Sequence, residues 1–231
     1  MEYTKMAQYY DELYDYKEYD KEVAFLNSIL KGKSNVLDVG CGTGNHIKEL
    51  ERFGYKCDGI DKSKEMVEIT KSKISGQVYL GDMLNFKIRK KYDAIISMFA
   101  VINHLNSINE LEMVLLNMKN HLRENGIIIL DLYNPSKSGN KTDQKGNIKR
   151  IMNWEIDLNN KTEKTNIKYI INEEDVVETN HCFKIFDIDE ISIVAKNIGL
   201  DIISIYSNYK TEEENLNEKR IQLLISRDNH N

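Results

Sequence analysis

The stretch Asn35–Leu50, NVLDVGCGTGNHIKEL, decides how the rest of the chain is read. Its first half is a short apolar run that ends in glycine, the pattern of a buried strand. Ile47, Leu50 and Phe53 then recur at three-residue steps, which predicts a helix stopped by Gly54. Gly40, Gly42 and Gly44 lie between the two, three of only 12 glycines in the chain. Glycine admits a positive φ and removes the side chain that would hold a ligand away. Open parallel sheets bind ligands at such a carboxyl edge, where the strand order reverses. The spacing is GxGxG, whereas a pyrophosphate-binding loop favours GxGxxG. Asp38 also precedes the glycines, and a carboxylate there repels a pyrophosphate but suits a cationic ligand.

Working outward, the residues before this stretch place Val23, Leu26, Ile29 and Leu30 at helical spacing. After it come a second strand (KCDGID), a helix from Ser63 to Lys71 with Ser63 as its cap, a third strand (QVYLGD) and a fourth (YDAIISMF). Ser107 and Glu110 form a capping box for a helix whose apolar face is Leu111, Val114, Leu115, Met118 and Leu122. A fifth strand is GIIILDLY. Strands with continuous apolar runs, alternating with helices, predict an α/β, doubly wound, mostly parallel sheet covered on both faces. Pro135, the one proline, opens a polar loop (SKSGNKTDQKGN), and three extended segments joined by Asn-rich turns follow. They read as antiparallel strands. Asp187 and Glu190 cap a further helix that Gly199 ends, and two closing strands complete the chain. The expected organisation is a core of residues 1–135 and 187–231, with an antiparallel β insertion over residues 136–186. Residues 1–31 form a helical cap.

Three acids specify the ligand. Asp38 suits a positive charge. Asp61, at the end of the second strand, is placed to accept from two ribose hydroxyls, with a helix cap as its other available role. Gly81, Asp82 and Met83 end the third strand, where Asp82 can accept from an adenine amine and Met83 can pack on the ring. Adenine, ribose and a positive charge without phosphate describe S-adenosylmethionine (SAM).

The run VLDVGCGTG, followed in order by GID, GDM, YDAIISMF and LRENGIIILD, resembles the class I SAM-dependent methyltransferases over roughly residues 30–135. The N-terminal YYDELYDYKEY, the SMFAVINHL after the fourth strand and the insertion after the fifth resemble one small-molecule subgroup, the deoxyaminosugar N,N-dimethyltransferases. The resemblance implies a seven-stranded Rossmann-like sheet and an N-terminal helix folded over the cofactor. It implies that Gly40, Cys41 and Gly42 line the methionine and ribose portion, that Lys62 and Met66 flank the adenine, and that Tyr14 and Tyr19 reach the cofactor. Met98 either contacts the cofactor or fills the sheet. His104 is the catalytic candidate. It stands at the carboxyl edge, some subgroup members carry a histidine at the matching place, and its ordinary pKa suits a base near neutral pH. No carboxylate in the sequence is as well placed. Asn103, Tyr133 and Asn134 are candidates to contact the acceptor. The insertion helps dimerise the resembling sugar enzymes, which implies a homodimer here.

The expected reaction is methyl transfer from SAM to an amine or hydroxyl of a small molecule, with a nucleotide-linked amino sugar as one form. The alternatives are a non-catalytic SAM-binding module and an NAD-dependent oxidoreductase. Composition narrows the partners. The formal net charge is −5 and the one basic run, Lys87–Lys91, is short, which speaks against nucleic acid. No apolar run approaches a membrane span. Cys41, Cys57 and Cys182 show neither metal nor CxxC spacing, so no metal is expected and a reduced, cytoplasmic setting is.

Overall fold

The computed structural model describes residues 7–14, 17–135, 137–212 and 215–227. Of the expected cap, residues 1–6, 15 and 16 lie outside the described residues, as do Ser136 at the head of the expected insertion, residues 213 and 214, and residues 228–231. The chain opens with α1 (Tyr10–Leu13) and α2 (Tyr19–Ile29). It then alternates: β1 (Asn35–Val39), α3 (Asn45–Arg52), β2 (Lys56–Asp61), α4 (Lys64–Lys71), β3 (Val78–Leu80), β4 (Tyr92–Ser97), α5 (Ile108–His121) and β5 (Leu122–Tyr133). Strands β6 (Gly139–Lys145), β7 (Ile148–Asp157), β8 (Thr162–Ile171) and β9 (Asp175–Lys184) form a separate antiparallel sheet. The chain returns through α6 (Ile188–Asn197), β10 (Leu200–Ser207) and β11 (Arg220–Arg227).

The core sheet has seven strands in the order β10-β11-β5-β4-β1-β2-β3. Pairs from β5 to β3 are parallel, and β11 runs antiparallel to both β5 and β10. From β1 the chain steps to β2 on one side and to β4 on the other, so the strand order reverses between β1 and β4. The carboxyl ends of these strands therefore flank a crevice.

Alternation along each strand feeds two helical layers. Leu37 and Val39 of β1 join the α5 and α6 side with Leu111, Val114, Met118, Ile191 and Ala195. Val36 faces α2, α3 and α4 with Leu26, Ile47, Leu50 and Val67. Burying one such aliphatic side chain is worth roughly 1.5–3 kcal/mol, so the two layers fix the strand ends that carry the site.

Caps set where the helices begin. Ser63 Oγ accepts from the Met66 N–H at 3.2 Å, as the sequence predicts. Ser107 Oγ accepts from the Glu110 N–H at 3.2 Å, but the Glu110 carboxylate reaches back to the Asn106 N–H at 2.7 Å, one residue beyond the expected box partner. Glu190 accepts from the Asp187 N–H at 3.1 Å. Phe53, expected on the apolar face of α3, is 55% exposed, because the helix ends at Arg52.

The polar loop expected after Pro135 contains β6, which pairs with β7 from Gly139↔Trp154 to Lys145↔Ile148. It is an edge strand with mostly exposed side chains, so no apolar alternation marks it. The inner face of the four-stranded sheet carries Glu163, Thr165, Ile167, Tyr169 and Ile171, alternate residues of β8 that are all buried. Ile167, Tyr169 and Ile171 pack with Leu13 of α1, so the N-terminal segment lies against the insertion.

Candidate active site

The glycine loop after β1 is held close to two neighbours. The Gly40 and Cys41 N–H groups donate to the Ile60 carbonyl at 2.8 and 3.0 Å, which ties the loop to the end of β2. Gly40 has φ +78°, and a Cβ there would lie 2.5 Å from Val101 Cγ1. Gly42 has φ +55°, and a Cβ there would meet nothing within 4 Å. One glycine is thus demanded by packing, while the other leaves bare backbone beside open space. Cys41 is buried with Ile47 and Val67, and burial raises its thiol pKa.

Asp38 ends up 1% exposed, with no hydrogen-bond partner for either carboxylate oxygen. Burial lifts its pKa to about 7, the Lys17 ammonium pulls it down, and the Asp61 charge pushes it up. An orphaned carboxylate in a dry site costs stability until donors reach it. Asp61 is braced instead. Its Oδ2 accepts from the Gly42 N–H at 2.9 Å and its Oδ1 from the Ser63 N–H at 2.8 Å. The side-chain cap of α4 is Ser63, and each Asp61 oxygen retains acceptor capacity for a hydroxyl. Burial raises the Asp61 pKa against these two N–H groups. Lys62 and Asp82 are exposed, Gly81 and Met83 are half-buried, and Met66 is 4% exposed. Asp82 Oδ1 accepts from the Leu84 N–H at 2.9 Å, closing the turn after β3. Met98 packs in the core with Ala94 and Ile96, so of its two expected roles the packing supports sheet filling.

The N-terminal segment folds over this crevice. The Asp11 carboxylate accepts from Thr43 Oγ1 at 2.6 Å and Asn45 Nδ2 at 2.9 Å, and pairs with Lys73. Tyr14 meets Phe99 edge-on with centroids 5.4 Å apart. Tyr19 meets His46 edge-on at 5.1 Å, and burial pushes its hydroxyl pKa up to about 12. Lys17, which no sequence pattern marked, places its ammonium 4.4 Å from the Tyr19 ring centroid and 4.2 Å from that of Phe99. It also pairs with Glu22 at 2.8 Å, and Glu22 holds His46 at 2.7 Å.

Phe99 and the following Ala100 both adopt left-handed backbone, with φ 60° and 61°. The turn is held by Asp131, which is fully buried and accepts from the Phe99 N–H at 2.8 Å, Tyr209 Oη at 2.9 Å and Gln222 Nε2 at 2.9 Å, and pairs with Arg220. Beyond it a short helical turn carries Asn103 and His104. The His104 ring lies 4.7 Å from the Phe183 ring and 6.1 Å from that of His181, both on β9. Burial, His181 and Lys62 bring the His104 pKa down to about 4.

A family model described as a methyltransferase domain matches residues 10–205. The chain belongs to this methyltransferase family. An uncharacterized protein of Methanocaldococcus jannaschii is 31% identical over 208 residues, which span 87% of this chain and 75% of that protein. A dTDP-3-amino-3,4,6-trideoxy-alpha-D-glucopyranose N,N-dimethyltransferase of Streptomyces venezuelae is 26% identical over 120 residues, about half of each protein (50% and 51%). Among solved structures, an S-adenosylmethionine-dependent methyltransferase of Clostridium acetobutylicum has the same fold, with a TM-score of 0.84 at 19% identity over 96% of this chain and 98% of that one.

The methyltransferase takes SAM as its cofactor, and the residues fit that molecule. The orphaned Asp38 oxygens call for a cationic donor, Gly42 leaves space beside its backbone, and Asp61 stands at the second strand end with acceptor capacity. The family match sets the nicotinamide reading aside.

Three expectations at the acceptor side change. Asn103 is 1% exposed, and its amide is taken by backbone: Nδ2 donates to the Tyr133 and Lys184 carbonyls at 3.1 and 2.8 Å, and Oδ1 accepts from the Tyr133 N–H at 2.9 Å. Asn134 Nδ2 likewise donates to the Leu216 and Glu218 carbonyls at 2.8 and 3.2 Å. Both asparagines are clamps in this structure rather than groups turned toward an acceptor. His104 does not keep its ordinary pKa, because its surroundings disfavour the charged ring. Glu163 supplies the carboxylate that the sequence did not reveal. It is 3% exposed, it lies beside Tyr133, and the strand register sets it opposite Phe183.

Proposed function

We propose that this methyltransferase transfers a methyl group to an amine or hydroxyl of a small molecule, with an amino sugar carried on a nucleotide as the favoured form. The observation that carries this reading is the seating of His181 and Phe183 against His104. That contact brings β9 of the insertion against the turn that follows β4, which supports an acceptor held beneath a sheet rather than along an open groove. The similarity to a sugar N,N-dimethyltransferase supports the amino-sugar form.

Bound SAM supplies a methyl carbon activated by a positively charged sulfur. Asp38 would satisfy its ammonium, Asp61 its ribose hydroxyls, and Gly40, Cys41 and Gly42 would line its middle. Asp82, Met83, Lys62 and Met66 would surround the base, and Tyr14 and Tyr19 would close over the site from the N-terminal segment. The chain's main work is then alignment, which can lower a barrier by roughly 7–11 kcal/mol in the best model systems. His104, neutral near pH 7, orients the acceptor by accepting a hydrogen bond. Tyr133, at the end of β5, is tied through its backbone to Asn103, the residue before His104.

The test combines binding and transfer. Calorimetry should show SAM binding and no NAD binding, with Asp61→Ala weakening SAM by about 10–100-fold, the equivalent of lost hydrogen bonds to a charged group. Methyl-labelled SAM should then label a nucleotide-sugar fraction. Label appearing in RNA or protein instead would refute the small-acceptor reading.

A further inference from the structure

Glu163 is a buried acid that the cofactor site does not use. Its Oε1 accepts from Thr165 Oγ1 at 2.7 Å. Its Oε2 is buried, and no donor stands in hydrogen-bonding geometry with it. Register places Glu163 opposite Phe183 and Thr165 opposite His181. Directly opposed residues share a face of an antiparallel pair, so Glu163 faces the same way as the two rings that meet His104. From the core side the Tyr133 hydroxyl lies beside it, and the nearby carboxylate helps push that hydroxyl's pKa up to about 12. Burial raises the pKa of Glu163 itself, against the Thr165 and Tyr133 hydroxyls. The titratable group beside Glu163 is therefore Tyr133, with Arg220 acting on Tyr133 from β11, while His104 stands among His181 and Lys62.

The corner is rich in acceptors. Glu163 Oε2 and the neutral His104 imidazole accept hydrogen bonds, the Tyr133 hydroxyl beside Glu163 can donate or accept, and the Phe183 ring offers a face that favours a cation. A hydroxyl brings one donor and no charge. An ammonium brings three donors and the opposite charge.

We propose that Glu163 binds the amino group of an amine acceptor and takes its proton before methyl transfer, an inference that rests on the methyltransferase reading above. An ammonium has no lone pair and is repelled by a sulfonium, so it must lose a proton to react. The proton passes from R–NH3+ to the Glu163 carboxylate, leaving R–NH2 and a carboxylic acid. The nitrogen lone pair then forms the N–C bond as the C–S bond breaks, and that bond's electron pair stays on sulfur. The product leaves as R–NH2+–CH3, and Glu163 returns its proton to water.

The experiment uses the full chain with SAM and a matched pair of probes: dTDP-3-amino-3,4,6-trideoxyglucose and its 3-hydroxyl counterpart. Wild type should methylate the amine member alone. E163Q should keep the wild-type melting temperature and SAM affinity. It should lose roughly 100-fold or more in kcat/KM at pH 7, the scale of one general base. Its activity should recover as pH rises toward the amine's own pKa, and E163D should restore part of the loss at pH 7. Transfer to the hydroxyl member would overturn the inference. So would an unchanged kcat/KM and pH profile in E163Q, or no transfer to the amine by a protein that binds SAM. A wild type that fails to bind SAM would refute the methyltransferase reading instead.

Discussion

Gly40→Ala separates the two reasons for a glycine in the first loop. The backbone there has φ +78°, and the added Cβ would lie 2.5 and 2.7 Å from the two methyl carbons of Val101. A left-handed conformation costs an L-residue about 1–2 kcal/mol. Overpacking against a neighbour adds roughly 1–3 kcal/mol, and the reduced entropy of the unfolded chain returns about 0.4–1. The net destabilisation is therefore about 1–5 kcal/mol. Only the overpacking part depends on Val101, so Gly40→Ala combined with Val101→Ala should be more stable than the sum of the single effects by about 1–3 kcal/mol. Denaturant unfolding of all four proteins measures this coupling. The turn that starts at Val101 also carries His104, so Gly40→Ala should lower acceptor turnover as well as SAM affinity. A coupling below about 0.5 kcal/mol, which is the scatter of independent sites, would refute the close approach of loop and turn.

SAM affinity should follow Asp38. Its pKa of about 7 in the protein alone means that binding a cationic group displaces a proton below that pH, so affinity should rise about tenfold per pH unit toward 7. It should level off above pH 7 and fall once the ligand's own α-ammonium, with an ordinary pKa of about 7.7–8.0, loses its proton. Asp38→Asn should abolish the rising limb, and a flat wild-type titration below pH 7 would contradict the orphaned carboxylate. Asp131→Ala strands Arg220 and frees the Phe99 N–H, which should cost roughly 3–5 kcal/mol by denaturant unfolding. Because the Phe99–Ala100 turn loses its anchor, SAM affinity should fall as well, and an unchanged affinity would show that the turn holds itself.

The cofactor half was legible because its signals are local. A strand ending in glycines, acids at successive strand ends and Ser63 before an amphipathic helix can each be read within a few residues. The acceptor half depends on register. Glu163 is turned to the buried face of β8 opposite Phe183 and lies beside Tyr133, and nothing in EKTNIKYII distinguishes this glutamate from a solvated one. Asn103 and Asn134 sit where acceptor contacts were expected, but buried backbone groups claim their amides first. Strand β6 is an exposed edge, so it carries no alternation to read. Asp131 did leave a trace: an acid inside an apolar strand implies buried donors waiting for it.

The Asn103 clamp fixes where the insertion joins the core. One amide grips Tyr133, the last residue of β5, and Lys184, the last of β9. The chain leaves and rejoins the core at one fixed point, however long its excursion. At this joint the sheet is a closed loop, and the entropy of such a closure grows only slowly with length. A sheet of another length between Pro135 and Ile185 would keep this joint, but it would also have to supply the faces that meet Leu13 and His104.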